Sequence, residues 1–246
     1  MLDELHLALL FSTRLPLPPM DKGMPGGLAR AMRFFPIAGV VVGAIGAAVY
    51  ALAHLLLPPA LAAVLALAAS AWTTGCLHED GLADLADGFG GGADKPRKLE
   101  IMRDSRIGTY GLVTVALALM LRAGAIATLG SPWKVAGALI AAHALGRAAM
   151  PLVMQLMSPA RSDGLGANAG QPERVDAAIA AGIALVIAGV VLPIPAALLA
   201  VVAALLASAA VVGLALHHLG GHTGDVLGAV EQAAETFALL GVVAAL

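Results

Sequence analysis

Asp80, Asp84 and Asp87 are spaced by four and three residues. On an α-helix that spacing places them on successive turns, within about 60° of one another. Three carboxylates so close raise each other's pKa unless a cation lies between them. An all-oxygen donor set suits a hard divalent ion, Mg2+ with Mn2+ as the alternative. Gly81, Leu82, Ala83, Leu85 and Ala86 are interleaved with the aspartates, so the opposite face has residues to bury. A solvated acidic helix end is the competing reading; acidic residues favour helix N-termini, whereas this triad follows an apolar run. Glu79 points about 100° away from the stripe, and His78 reads equally as a structural hydrogen-bonder or a ligand.

The triad opens the stretch His78–Gly111, which carries seven of the sixteen acidic and five of the fourteen basic residues of a chain only 12% charged. Gly88, Gly90, Gly91 and Gly92 follow. A glycine tract lets backbone N–H groups approach phosphate, Gly91 and Gly92 being candidates, although a plain linker explains it equally well and no GxxxxGK[ST] is present. Arg103 and Arg106 flank Asp104, and two guanidinium forks beside a carboxylate triad suit a metal-bound diphosphate. Lys95, Arg97 and Lys98 fit membrane anchoring better. Arg161 and Asp163 in RSDGLG, and Asp225 in GGHTGD, are polar loop residues that alone read as turns or caps. Glu231 and Glu235 share a helix face within an apolar run, with Arg122 or Arg147 as natural partners.

The elements that must position these groups are apolar. Sixty per cent of the 246 residues are hydrophobic and the mean hydropathy is +0.91, which excludes an ordinary soluble domain. A spanning helix needs about 20 apolar residues. Such runs lie at Phe34–Leu57, Ala60–Leu77, Thr109–Leu129, Trp133–Met157, Val175–Leu192, Ala196–Leu219 and about 227–246. The expected fold is all-α: one domain over residues 1–246, a bundle of about seven transmembrane helices with the charged insert 78–111 as active-site loop or helix. Residues 1–33, broken by Pro16, Pro18 and Pro19 and charged by Lys22, Arg30 and Arg33, are expected along the interface. Asp3 and Glu4 stand where a signal peptide carries Lys or Arg, so no cleaved leader is expected.

Short turns alternate with long polar loops. Arg14, Lys22, Arg30, Arg33, Lys95, Arg97, Lys98, Arg103, Arg106, Arg161 and Arg174 fall on the long-loop side, and Lys134 alone on the other. The positive-inside rule makes the long-loop face cytoplasmic, and the expected location is a bacterial inner membrane. A net charge of −2 gives no field for nucleic acid. Cys76 is the single cysteine, which excludes an intrachain disulfide. Membrane lipid is an expected partner and a homo-oligomer is compatible with the sequence.

HEDGLADLADGFGGG followed by LEIMRDSRIGTYG resembles the signature of the cobalamin synthase family, the adenosylcobinamide-GDP ribazoletransferases. FSTRLPLP, FFPIAGVVVG, GRAAMPL at Gly146–Leu152, RSDGLG and GGHTGDVLGA are similar to family blocks in family order, so the resemblance covers nearly the whole chain. His217-His218 departs from the basic residue expected before GGHTGD. The resemblance implies a late step of cobalamin biosynthesis. A hydroxyl of α-ribazole, or of its 5′-phosphate, attacks the cobinamide-linked phosphorus of adenosylcobinamide-GDP and GMP leaves. In that chemistry Asp80, Asp84 and Asp87 hold Mg2+, Arg103 and Arg106 hold the diphosphate, and Asp104 or Asp225 accepts the proton.

Two other readings compete. The chemistry is similar to that of CDP-alcohol phosphotransferases acting on lipid, but their DxxDGxxAR…GxxxDxxxD spacing is not kept. A transporter of an anionic cofactor is the other, although transporters more often distribute polar groups through the membrane's depth.

Overall fold

Proline opens and glycine closes many helices of this chain, since proline lacks the N–H that a first turn leaves free and glycine accepts the left-handed cap. The computed structural model describes residues 1–20 and 27–246, so Lys22 lies outside the described residues. Among them are α1 (Leu2–Ser12), α2 (Gly27–Ala31), α3 (Phe35–His54), α4 (Pro59–Thr74), α5 (Leu77–Gly91), α6 (Lys95–Ile101), α7 (Thr109–Leu129), α8 (Pro132–Leu156), α9 (Leu165–Asn168), α10 (Arg174–Val191), α11 (Ile194–Leu219) and α12 (Gly224–Ala244). A 3-10 turn, Met32–Phe34, joins α2 to α3.

Among the described residues, six helical segments are long and apolar enough to cross a membrane: Gly27–His54, α7, α8, α10, α11 and α12. The sixteen residues of α4 pass the same test only together with α5, and the two axes meet at 91°. We read α4 as the seventh crossing and α5 as a helix laid across its end, outside the spans. The bend corrects the expected Ala60–Leu77 run. Gly75 at φ +65 and Cys76 at φ +58 are consecutive left-handed residues, which no α-helix passes through. The triad therefore sits on a helix of its own, with Glu79 and Asp80 in its first turn.

The spans α8 and α12 are the most enclosed, while α7, α10 and α11 are mostly exposed. Leu117 and Met120 of α7, Val190 of α10 and Leu206 of α11 point outward, the pattern of helices facing lipid. Trp72 closes α4 and Trp133 opens α8, both largely exposed at opposite ends of the bundle, where aromatic residues anchor the two interfaces. Small residues set the central contact: a Cβ on Gly39 or Gly43 of α3 would strike the backbone of α8 at His143 or Leu139, the close approach of a small-xxx-small face. The short turns at 55–58, 130–131 and 192–193 lie at one end of the bundle, and α5, α6 and the polar loops at the other.

Candidate functional site

At the polar end, α5 and α12 meet backbone to backbone. A Cβ on Gly81 would lie 3.1 Å from the Cα of Asp225, and one on Gly228 would lie 3.3 Å from the Cα of Gly81. This contact brings Asp80 and Asp225 onto one cavity of about 320 Å³. Asp225 lies in the first turn of α12, not in a loop, because Thr223 caps that helix: its Oγ1 accepts from Val226 N at 3.2 Å. Two connecting segments are stitched together here. Ala160 N donates to His222 O at 2.8 Å and His222 N donates to Ser158 O at 3.0 Å. Arg161 is thereby held with Nη2 3.6 Å from Asp225 Oδ2, while its buried Nη1 has no partner among the described residues.

The three aspartates of α5 separate into two kinds. Asp87 is buried and engaged: Oδ2 accepts from Gly108 N at 2.7 Å and Oδ1 from Gly111 N at 2.9 Å. It caps the start of α7 and locks α5 to that helix. Asp80 is exposed and Asp84 half-buried, and neither has an ion-pair or hydrogen-bond partner among the described residues. Burial, and then the charges of Asp80, Asp225 and Asp87, push the Asp84 carboxyl up to about 7, with Arg161 opposing. No three carboxylates of this group bring oxygens within 4.8 Å among the described residues. The donor chemistry nevertheless fits Mg2+, which keeps several waters and is commonly held by one or two carboxylates together with substrate phosphates.

The other candidates from the sequence lie nearby but are occupied. Arg103 Nη2 donates to both oxygens of Asp163, at 2.6 and 2.7 Å. Arg106 Nη2 donates to Asp104 Oδ2 at 2.6 Å and Nε to Oδ1 at 3.0 Å, and these bonds hold the Asp104 carboxyl down to about 2. Asp104 is thus a poor proton acceptor, and the half-buried position of Asp225 on the cavity favours it instead. Gly88, Gly90 and Gly91 are the last turn of α5 and not a loop. Gly92 N donates to Gly88 O at 3.0 Å, closing that turn. A Cβ on Gly90 would strike Tyr110 and one on Gly92 the backbone of Lys98, so the tract serves tight packing.

A second charged cluster lies deeper, between the spans. Arg122 of α7 donates to Glu235 at 2.6 Å, Arg147 of α8 to Glu231 at 2.8 Å, and His143 Nδ1 lies 2.7 Å from Glu235. Both arginines anticipated as partners are used. Glu79 of α5 joins this network, 3.7 Å from Arg122 and 3.3 Å from Gln232. His143, Glu231 and Glu235 alone among the described residues converge as a metal-ligand set. Glu231 and Glu235 are each already paired with a guanidinium group, which leaves that set less unmet charge for a cation than Asp80 and Asp84 have. His143 and Gln232 gave no sequence signal beyond being polar within an apolar run.

The sequence model of a family described as "Cobalamin-5-phosphate synthase" matches residues 4–243. The chain is 46% identical over 238 residues to an adenosylcobinamide-GDP ribazoletransferase of Bradyrhizobium diazoefficiens, covering 96% of this chain and 92% of that one. The protein of the same name from Mesorhizobium japonicum is 46% identical over 97% of this chain and 92% of its own. That from Azorhizobium caulinodans is 44% identical over 98% and 95%. No solved structure matches the chain.

Proposed function

Because the chain belongs to the cobalamin-5-phosphate synthase family, we propose that it is a membrane-embedded adenosylcobinamide-GDP ribazoletransferase acting late in cobalamin biosynthesis. The observation that carries this reading is the acidic group at one end of the bundle, where Asp80 and Asp84 have no cationic partner among the described residues and Asp80 lines one cavity with Asp225. Asp80 and Asp84 would hold Mg2+ or Mn2+, with Asp225 across from them; Asp87 would reach the ion only at the expense of its cap on α7. A divalent ion bound there would neutralise the diphosphate.

The chain's own groups perform the rest. Asp225 takes the proton of the attacking ribazole hydroxyl as the new O–P bond forms and the P–O bond to GMP breaks. Arg161, beside Asp225 with one free N–H face, steadies the charge that develops. Arg103 and Arg106 exchange Asp163 and Asp104 for oxygens of the donor's diphosphate and stabilise the leaving GMP. The cationic long-loop end supports a cytoplasmic site in a bacterial inner membrane, with lipid covering the exposed apolar spans.

The test is nucleotide release by purified protein given adenosylcobinamide-GDP and α-ribazole or its 5′-phosphate. One GMP per corrinoid product, abolished by exhaustive chelation and restored by Mg2+, is expected. Release of CMP from a CDP-alcohol instead, or of no nucleotide, would overturn the proposal.

A further inference from the structure

We infer that the cavity is the acceptor subsite: it encloses the flat base of the nucleoside, while the corrinoid-linked diphosphate stays outside, along Asp80 and Asp84. This rests on the transfer reading above. Size is the first argument. At about 320 Å³ the cavity is at the low end for small-molecule sites, and a corrin macrocycle is several times larger than a dimethylbenzimidazole riboside. Of the two substrates only the riboside can be enclosed.

The lining is the second argument. Phe11 of α1 and Phe35 of α3 stack with ring centroids 5.7 Å apart and planes 9° from parallel, and both border the cavity with Met150 and Met154 of α8. Aromatic faces and polarisable thioethers suit a planar apolar ring. Asp80, Asp225 and Arg161 line the same space, the last two 3.6 Å apart. A base held against the phenylalanines therefore directs its ribose at Asp225, and the unpartnered Arg161 Nη1 is placed for a 5′-phosphate. The N-terminal helix, expected only to lie on the interface, thus becomes a wall of the site.

Steady-state GMP release by the purified full-length protein tests this with Met154→Phe, which narrows the cavity, and with Phe11→Ala at a half-buried position should the first fail to fold. The KM for α-ribazole is expected to rise about tenfold while that for adenosylcobinamide-GDP stays within about twofold. Met154→Phe should also shift kcat/KM about tenfold toward the riboside of unmethylated benzimidazole, which general loosening would not do. A rise in the donor KM alone, or no change in either KM, would overturn the inference. A wild-type protein that releases no GMP would instead sink the transfer reading. Titration of wild type and Met154→Phe with α-ribazole alone, followed by the base's own fluorescence, then still decides the subsite: weaker binding by the variant supports it and equal binding refutes it.

Discussion

Two acidic clusters lie side by side in this protein, and they differ in what answers their charge. The inner one, Glu231 and Glu235 with Glu79 at its edge, is met by Arg122, Arg147 and His143 between the spans. The outer one, Asp80, Asp84 and Asp225, has Arg161 beside Asp225 as its single nearby cation among the described residues, and Asp80 and Asp225 line the cavity. A buried charge whose partner is built in holds helices together. A group of charges left without one is a place for something that arrives. The inner cluster has the better metal geometry and the outer one the unmet charge; we take charge to be the deciding property.

The contrast breaks most visibly at Arg147. Replacing it with Leu strips Glu231 of its closest cation inside the bundle, and removal of one member of a buried pair costs about 3–5 kcal/mol. The expected result is a large fall in the melting temperature of the detergent-solubilised protein, with little folded material recovered. Asp84→Asn should do the opposite: melting unchanged or raised, because repulsion is relieved, and GMP release reduced roughly a hundredfold, about 3 kcal/mol of transition-state stabilisation.

A pH series sharpens the comparison. A carboxyl whose pKa is raised on folding contributes stability below its unfolded value, near 4, and loses it as pH rises through its folded value. For Asp84 that value is about 7. The metal-free protein should therefore melt lower at pH 8 than at pH 6, and Mg2+ should raise the melting temperature more at pH 8. Asp87→Asn is the mildest of these changes. It weakens one of the two bonds that cap α7, for a loss of about 1–2 kcal/mol in stability and a partial loss of activity.

Much of the scaffold was legible because proline pairs, glycine caps and apolar runs report locally. The turn at Pro58-Pro59, the Gly130-Ser131 break and the Pro193 start of α11 all stand where the sequence placed them. The bend at Gly75-Cys76 was not, since a cysteine rarely takes a positive φ and a lone glycine inside an apolar run is an ambiguous stop. The shared face of Asp80 and Asp84 follows from helical spacing alone. The diversion of Asp87 to Gly108 and Gly111 does not, because a cap drawn from 21 and 24 residues away is a tertiary event. The same holds for Arg122 and Glu235, 113 residues apart in the chain. The glycine tract misled for a physical reason: glycine serves close helix packing as readily as it serves a loop.

Manganese binding followed by electron paramagnetic resonance tests the central claim most directly, with wild type, the double variant Asp80→Asn/Asp84→Asn and His143→Gln compared at neutral pH. The account predicts that wild type and His143→Gln bind Mn2+ alike and that the double variant loses the site. Retention of Mn2+ by the double variant together with its loss in His143→Gln would place the metal in the inner cluster and contradict the account.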